Sequence, residues 1–314
     1  MRTKKLGTNG PELTVVGFGA WAIGGPWEFG WGAVDDDASV KAIHKALDLG
    51  INWIDTAAVY GLGHSEEVVA RAVAGKRDRV FLATKCGMVW DDRRKVKIHL
   101  GPASIRKEIE NSLRRLKTDH VDLYQFHWPD PDTPVEESWK VMADLKQEGK
   151  AGHIGVCNFN VDLLRRCASV APVQSLQPIY NLLKQDVAAG ILPYCRQNGI
   201  GVVAYSPMMS GLLTGKFDMK RVASDDWRRQ SPTFKEPLLS KEITFVDRLR
   251  PIAAKYRKTV GQLSVAWVNM NPAVTSSIVG ARTDRHVEEN VGSDFSIEAA
   301  DMKEIARVLK ETVG

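Results

Sequence analysis

Eight short apolar runs, each followed by a stretch of helical periodicity, constrain this chain more than any other feature. The runs are Val15–Phe18, Asn52–Asp55, Val80–Lys85, Val121–Phe126, His153–Val156, Val173–Gln177, Gly201–Tyr205 and Ser277–Val279. Most are apolar at consecutive positions, as strands buried on both faces of a parallel sheet must be. The first helix is announced by Asp35-Asp36-Asp37, carries Val40, Ile43, Ala46 and Leu47 at helical spacing, and stops at Gly50. The same patterning predicts helices over 65–74, 104–116, 161–168, 187–198, 241–256, 260–269 and 286–291. Thr133-Pro134-Val135-Glu136 reads as a capping box with Pro134 at the first helical position, opening a helix to Glu148. Eight such units within 314 residues predict a closed (β/α)₈ TIM barrel, an α/β fold spanning 1–314 as one domain. Two additions frame it: an N-terminal β-hairpin (Thr3–Leu6 against Leu13-Thr14, with an Asn9-Gly10 turn) and an extra C-terminal helix over 299–313. The irregular stretch Met208–Ser240 is too long for a plain connection, and loops of that length are usually functional lids.

Composition narrows the function. Apolar content of 44% and charged content of 26% are those of an ordinary globular protein. The net charge of +5 is spread along the chain, so no nucleic-acid partner is expected, while a local anion pocket is compatible with it. The four cysteines, Cys86, Cys157, Cys167 and Cys195, show no C-x-x-C spacing and read as reduced thiols. Neither a leader-like apolar run at the N-terminus nor a membrane-length segment is present in the sequence, so a cytoplasmic protein without a membrane partner is expected.

In a parallel barrel, polar residues at the carboxyl ends of the strands converge on one rim, where chemistry is placed. Here those ends supply Asp55, with Tyr60 five residues on, then Lys85 and His127. Each has an ordinary explanation alone: an acid capping a loop, a rim tyrosine, a snorkelling lysine, a hydrogen-bonded core histidine. Together they form an acid–base set. A free phenol has a pKa of about 10, and an adjacent ammonium favours its ionised form. An aspartate keeps the lysine charged, and a neutral histidine can orient a carbonyl oxygen. Such a set protonates an alkoxide as a hydride arrives, a step worth about 10²–10⁴-fold in rate. Trp21, Trp27, Phe29, Trp31, Trp90 and Trp128 lie near strand ends and are expected to wall a pocket for apolar, ring-shaped or sugar-like carbonyl compounds.

These motifs, in this order, resemble the aldo-keto reductase superfamily, and most nearly its bacterial NADPH-dependent branch. The resemblance covers nearly the whole chain. It rests on Gly17-Phe18-Gly19-Ala20-Trp21, Asp55-x-x-x-x-Tyr60-Gly61, Lys85, His127-Trp128-Pro129, Gly155-Val156-Cys157-Asn158-Phe159, Gln177-x-x-Tyr180-Asn181, Tyr205-Ser206-Pro207 and Gly280-Ala281-Arg282. It implies a reversible, NADPH-dependent reduction of aldehydes and ketones, with Asp55, Tyr60, Lys85 and His127 as the catalytic tetrad. It implies that Gly19, Ala20, Trp21 and Asp55 border the cofactor, and that Cys157, Asn158 and Gln177 hold the carboxamide. Tyr205 would stack on the nicotinamide. Ser206, Pro207, Met208, Ser210, Gly211, Leu212 and Lys216 would line the pyrophosphate and its flap. Gly280 and Arg282 would meet the 2′-phosphate, with His286, Glu289 and Asn290 at the adenine. Thr283 can cap the next helix, which places Arg282 at a helix N-terminus, already a favourable anion site. Cys157 stands where most relatives carry serine, and a thiol is the weaker donor.

Two other classes are compatible with parts of the pattern. Asp55, His64 and His127 could serve as ligands of a metal-dependent barrel hydrolase or isomerase, although Asn158, Gln177 and Tyr205 at the opposing strand ends are poor company for one, and no metal is expected. A cofactor-sensing binding protein with little turnover, like the channel subunits of the same superfamily, would share every cofactor motif.

Overall fold

The computed structural model describes residues 1–224 and 226–314. The strands are β1 (Thr3–Lys5), β2 (Glu12–Thr14), β3 (Val16–Gly19), β4 (Trp53–Asp55), β5 (Phe81–Cys86), β6 (Met88–Trp90), β7 (Val96–Ile98), β8 (Val121–Phe126), β9 (Ala151–Cys157), β10 (Ser175–Gln177), β11 (Gly201–Ala204) and β12 (Val274–Gly280). The helices are α1 (Asp36–Asp48), α2 (His64–Val73), α3 (Pro102–Leu116), α4 (Val135–Gln147), α5 (Val161–Ala168), α6 (Ile191–Gln197), α7 (Leu238–Lys255), α8 (Val260–Asn269), α9 (Asp284–Val291) and α10 (Ala299–Thr312). Among the described residues, β3, β4, β5, β8, β9, β10, β11 and β12 close into an eight-stranded parallel barrel, as the repeat predicts. Ring closure is made by β12 on β3, with Ser277 opposite Val16 and Gly280 opposite Gly19.

The base of the barrel is plugged. Leu6 and Leu13 from the hairpin pack with Trp53, Ala83, Leu123, Val203 and Ile278 inside it. Trp53 is wholly buried, and its indole N–H donates to the Ser276 hydroxyl at 3.1 Å. Withdrawing a side chain of that size from water removes roughly 200 Å², about 5 kcal/mol of hydrophobic stabilisation. It fits because its neighbour on β3 is Gly17, where any Cβ would lie 2.1 Å from the indole. Both chain termini of the strands are therefore unlike: one end is apolar and closed, the other carries Asp55, Cys157 and Gln177 as last residues. No helix among the described residues is long and apolar enough to cross a membrane.

Local chemistry departs from the sequence pattern in four places. The β1–β2 hairpin does not use an Asn-Gly turn. Gly7 takes the left-handed φ of +63°, Leu6 N–H donates to the Pro11 carbonyl, and Thr8 N–H docks on the Gly199 carbonyl at the barrel base. The Thr133 capping box is not formed, because α4 begins at Val135 and the Thr133 hydroxyl donates instead to Asp130 at 2.8 Å. Helix α6 starts at Ile191, four residues later than the pattern suggests; Pro193 thus falls in its first turn, where a missing N–H costs nothing. The antiparallel pair β6–β7 has no counterpart in the sequence pattern; its reversal combines Asp91 Oδ1, which accepts from the Arg93 and Lys95 N–H groups, with Arg94 at φ +64°. Met208–Ser240 is not formless either. It holds 3₁₀ turns at Met209–Thr214, Met219–Arg221, Trp227–Arg229 and Pro232–Phe234 before α7 begins. Thr283 caps α9 as expected, accepting from His286 N–H.

Candidate active site

Asp55 ends β4, and Thr56 N–H then pairs with the Ala83 carbonyl of β5. The chain turns through Ala57 and Ala58 so that Tyr60 N–H reaches the Ala57 carbonyl. Gly61, at φ +64°, lies flat on Gly24; a Cβ there would stand 1.7 Å from the Gly24 oxygen. This backbone contact, possible only for glycine, aims the Tyr60 ring back over the barrel mouth.

Four side chains meet there. Lys85 Nζ donates to Asp55 Oδ1 at 2.5 Å, to the Thr56 carbonyl at 2.9 Å and contacts the Tyr60 hydroxyl at 3.2 Å. The His127 ring stands edge-on to Tyr60 with centroids 5.6 Å apart. Asp55 and Lys85 are about 2% and 1% exposed, so their pairing is screened from water. Gln177 Nε2 reaches across the barrel to Asp55 Oδ2 at 2.8 Å. Both carboxylate oxygens are thereby engaged, which a buried charge requires.

The electrostatics differ from the simple expectation that Lys85 lowers the tyrosine. Burial pushes the Tyr60 phenol up to about 12; the Lys85 ammonium pulls it down, and the Asp55 carboxylate opposes that pull. Tyr60 therefore holds its proton across the neutral range. Burial works against the Lys85 charge, but Asp55 and Tyr60 outweigh it and the ammonium is raised above its ordinary value. Burial, then the Lys85 charge, holds His127 well below the usual imidazole range, so it is neutral. Burial likewise keeps Cys157 protonated.

A cavity of about 690 Å³ runs outward from this point. One half is lined by Asn158, Gln177, Tyr205, Ser206–Met208, Ser210, Gly211 and Lys216, and ends at Gly280, Arg282, His286, Glu289 and Asn290. The other half is aromatic: Trp21, Trp27, Phe29, Trp31 and Trp128. Gly19, Asp55, Tyr60, His127 and Cys157 line the junction. Lys85 does not line the cavity itself and reaches it through Asp55 and Tyr60. Three expected lining residues lie elsewhere. Trp90 leaves the cavity, its ring facing the Arg115 guanidinium at 6.0 Å. Leu212 is buried in the core. Ala20 is buried too, its carbonyl accepting from Ser65. Conversely, Met88, Trp227, Gln262 and Ser293 line the cavity without having been singled out in the sequence. Only Trp227, an aromatic residue within the long irregular stretch, offered a signal there. His64 pairs with Asp36 at 2.9 Å, so an Asp55–His64–His127 ligand set is not assembled, and no cluster of three or more metal-ligating side chains occurs among the described residues.

The first half of the cavity suits an elongated anionic cofactor. Ser206, Met209 and Ser210 hold left-handed φ values of 53°, 46° and 50°. Such conformations in non-glycine residues cost roughly 1–3 kcal/mol each and gather at ligand clamps. Tyr205 offers an aromatic face while its hydroxyl donates to Asn158 Oδ1 at 3.0 Å, and Asn158 Nδ2 donates to the His127 carbonyl at 3.1 Å. What remains for a ligand is one amide hydrogen on each of Asn158 and Gln177, the Gln177 carbonyl oxygen and the second lone pair of Asn158 Oδ1. At the far end Lys216 pairs with Glu289 at 3.1 Å, whereas Arg282 is exposed and forms no ion pair among the described residues.

Comparison with known proteins finds relatives over nearly the whole chain. The model of the Aldo/keto reductase family matches residues 15–310. The aldo-keto reductase YhdN of Bacillus subtilis is 38% identical over 100% of this chain and 95% of its own. The NADH-specific methylglyoxal reductase of Escherichia coli is 34% identical over 99% of this chain and 100% of its own. The solved structure of the glycerol dehydrogenase AKR11B4 from Gluconobacter oxydans superposes with a TM-score of 0.90 at 39% identity, covering 99% of this chain and 95% of that one.

Proposed function

The chain belongs to the aldo/keto reductase family, and from that premise we propose that it reduces aldehydes and ketones reversibly, with NADPH preferred over NADH. The observation that carries the reading is the Tyr60 hydroxyl, placed at the cavity and 3.2 Å from a buried lysine that is itself paired with Asp55. Reduction of a carbonyl needs a hydride on carbon, which a bound nicotinamide cofactor supplies, and a proton on oxygen. Tyr60 is the proton source. The phenol keeps its proton until oxygen becomes basic, and the Lys85 ammonium then stabilises the phenolate left behind. Neutral His127 donates a hydrogen bond that aligns the carbonyl oxygen. Asp55 does not exchange protons; it fixes Lys85, and Gln177 fixes Asp55.

Among the remaining residues, Asn158 and Gln177 would hold the carboxamide. Tyr205 would lie against the ring, and the Ser206–Lys216 stretch along the pyrophosphate. Arg282 would bind the 2′-phosphate, since a guanidinium is shaped for phosphate and this one has no carboxylate partner among the described residues. Glu289, Asn290 and His286 would border the adenine. The aromatic half would take the body of the substrate, and its flat walls favour apolar or ring-bearing carbonyl compounds. The test is loss of nicotinamide absorbance over a panel of small, aliphatic, sugar and aromatic carbonyls with each of NADPH and NADH. Tight cofactor binding without turnover on any of them would leave a cofactor-sensing protein instead.

A further inference from the structure

Arg228 sits where the long segment after β11 crosses from one half of the cavity to the other. Its side chain is only 14% exposed, yet it does not line the cavity itself. Three of its five N–H groups and its flat face are engaged. Nη1 donates to the Ser210 carbonyl at 3.2 Å. The plane lies over the Trp31 ring at 4.6 Å. The remaining edge is held by Asp226, with Nη2–Oδ2 at 2.7 Å and Nε–Oδ1 at 2.9 Å. The next residue along the chain, Trp227, packs on Trp21 and Trp31 at centroid distances of 6.0 and 6.3 Å. Ser210 belongs to the left-handed turn of the proposed cofactor half, and Trp31 to the aromatic wall. Arg228 is thus a single rigid plane touching both, and its charge is neutralised by Asp226, so it has no reason to leave for solvent.

We infer that Arg228 is a positioning residue that ties the Ser210 turn to the Trp31 wall, so that a ligand ordering the turn also sets the shape of the aromatic half for bulky carbonyl substrates. The inference rests on the reductase reading above. Coupling of this kind is reciprocal: cofactor tightens binding in the aromatic half, and a bulky ligand there tightens cofactor. A small carbonyl, held at Tyr60 and His127 alone, does not feel the wall. Neither Lys nor Met replaces the guanidinium, because stacking on an indole while donating sideways to a carbonyl needs a planar fork.

The experiment compares the full-length wild type with Arg228→Met and Arg228→Lys, using naphthaldehyde and propanal as substrates. Both variants are expected to raise KM for naphthaldehyde about tenfold, with kcat changed less than about twofold, and to leave propanal kinetics within about twofold of wild type. In a second arm, naphthalenemethanol is titrated by tryptophan fluorescence with and without NADP. Wild type should bind it at least about fivefold tighter with cofactor, and the variants should lose that difference. Equal losses for both substrates, or unchanged KM and coupling, would make Arg228 a buttress of the fold and overturn the inference. If the wild type reduces neither aldehyde, it is the reductase reading that fails, and the titration still decides the role of Arg228.

Discussion

The buried Lys85 ammonium stands 3.2 Å from the Tyr60 hydroxyl, which faces the cavity. That single contact makes Tyr60 the first residue to test. Tyr60→Phe keeps the ring against His127 and Trp27, with centroids at 5.6 and 6.4 Å in the wild type, and removes only the transferable proton. Carbonyl reduction is expected to fall by about 10²-fold or more while cofactor affinity and Tm stay near wild type. Retention of more than about a tenth of wild-type turnover would remove Tyr60 from the proposed mechanism.

The pH profile follows from the same site. With Tyr60 pushed up to about 12 and His127 held neutral, neither residue changes charge near neutrality. kcat/KM for reduction is expected to be flat from about pH 6 to about pH 9. Lys85→Met removes the charge that pulls the phenol down and leaves that of Asp55, so the alkaline limb should move to still higher pH as activity drops. A neutral-range inflection that vanishes in His127→Gln would show that the histidine titrates, contrary to its buried setting.

The proposed preference for NADPH rests on Arg282. Its exposed guanidinium is free of carboxylate partners among the described residues and lines the far end of the cavity. One charge-assisted pairing with the 2′-phosphate should make NADPH bind about ten- to a hundred-fold tighter than NADH. Arg282→Ala should abolish most of the difference and leave NADH affinity nearly unchanged. The relative named NADH-specific makes the outcome informative. Equal wild-type affinities in a fluorescence titration would refute the assignment.

Stability carries a signature of its own below the site. Glu108 accepts from Gly87 N–H at 2.9 Å and from the Ser104 hydroxyl at 3.1 Å, and burial pushes its carboxyl up to about 7. The folded protein therefore holds this proton more tightly than the unfolded chain, whose value is near 4.5. The contribution of Glu108 to stability should fall as pH rises between these values and level off above them, by at most about 3 kcal/mol. Glu108→Gln keeps an acceptor for Gly87 without the charge. Relative to this variant, the wild type should lose unfolding free energy between about pH 5 and about pH 8; the contribution of Glu242, which burial also raises, and the opposite contributions of His127, His153 and His286, which burial holds low, are common to both proteins and cancel in the difference. An unchanged slope would show that Glu108 ionises freely.

The barrel and the junction of its cavity were legible in the linear chain for one reason. Strands buried on both faces and amphipathic helices have local periodicities, and closing eight parallel strands forces their carboxyl ends together. Asp55, Lys85 and His127 could be assigned to one rim before any distance was known, and Tyr60 with them.

What only the folded molecule decided lacks such periodicity. Trp90 and Trp31 look alike in sequence, both tryptophans near strand ends, yet the unforeseen β6–β7 pair turns one toward Arg115 while the other walls the cavity. Trp227 and Arg228 sit in a three-residue 3₁₀ turn whose place is set by docking against Trp21 and Trp31. The proton affinity of Tyr60 belongs to this class as well. Convergence with Lys85 at one barrel rim argues for a lowered value, but the energy of a charge depends on how much water the whole fold has removed from around it, and here burial outweighs the neighbouring ammonium.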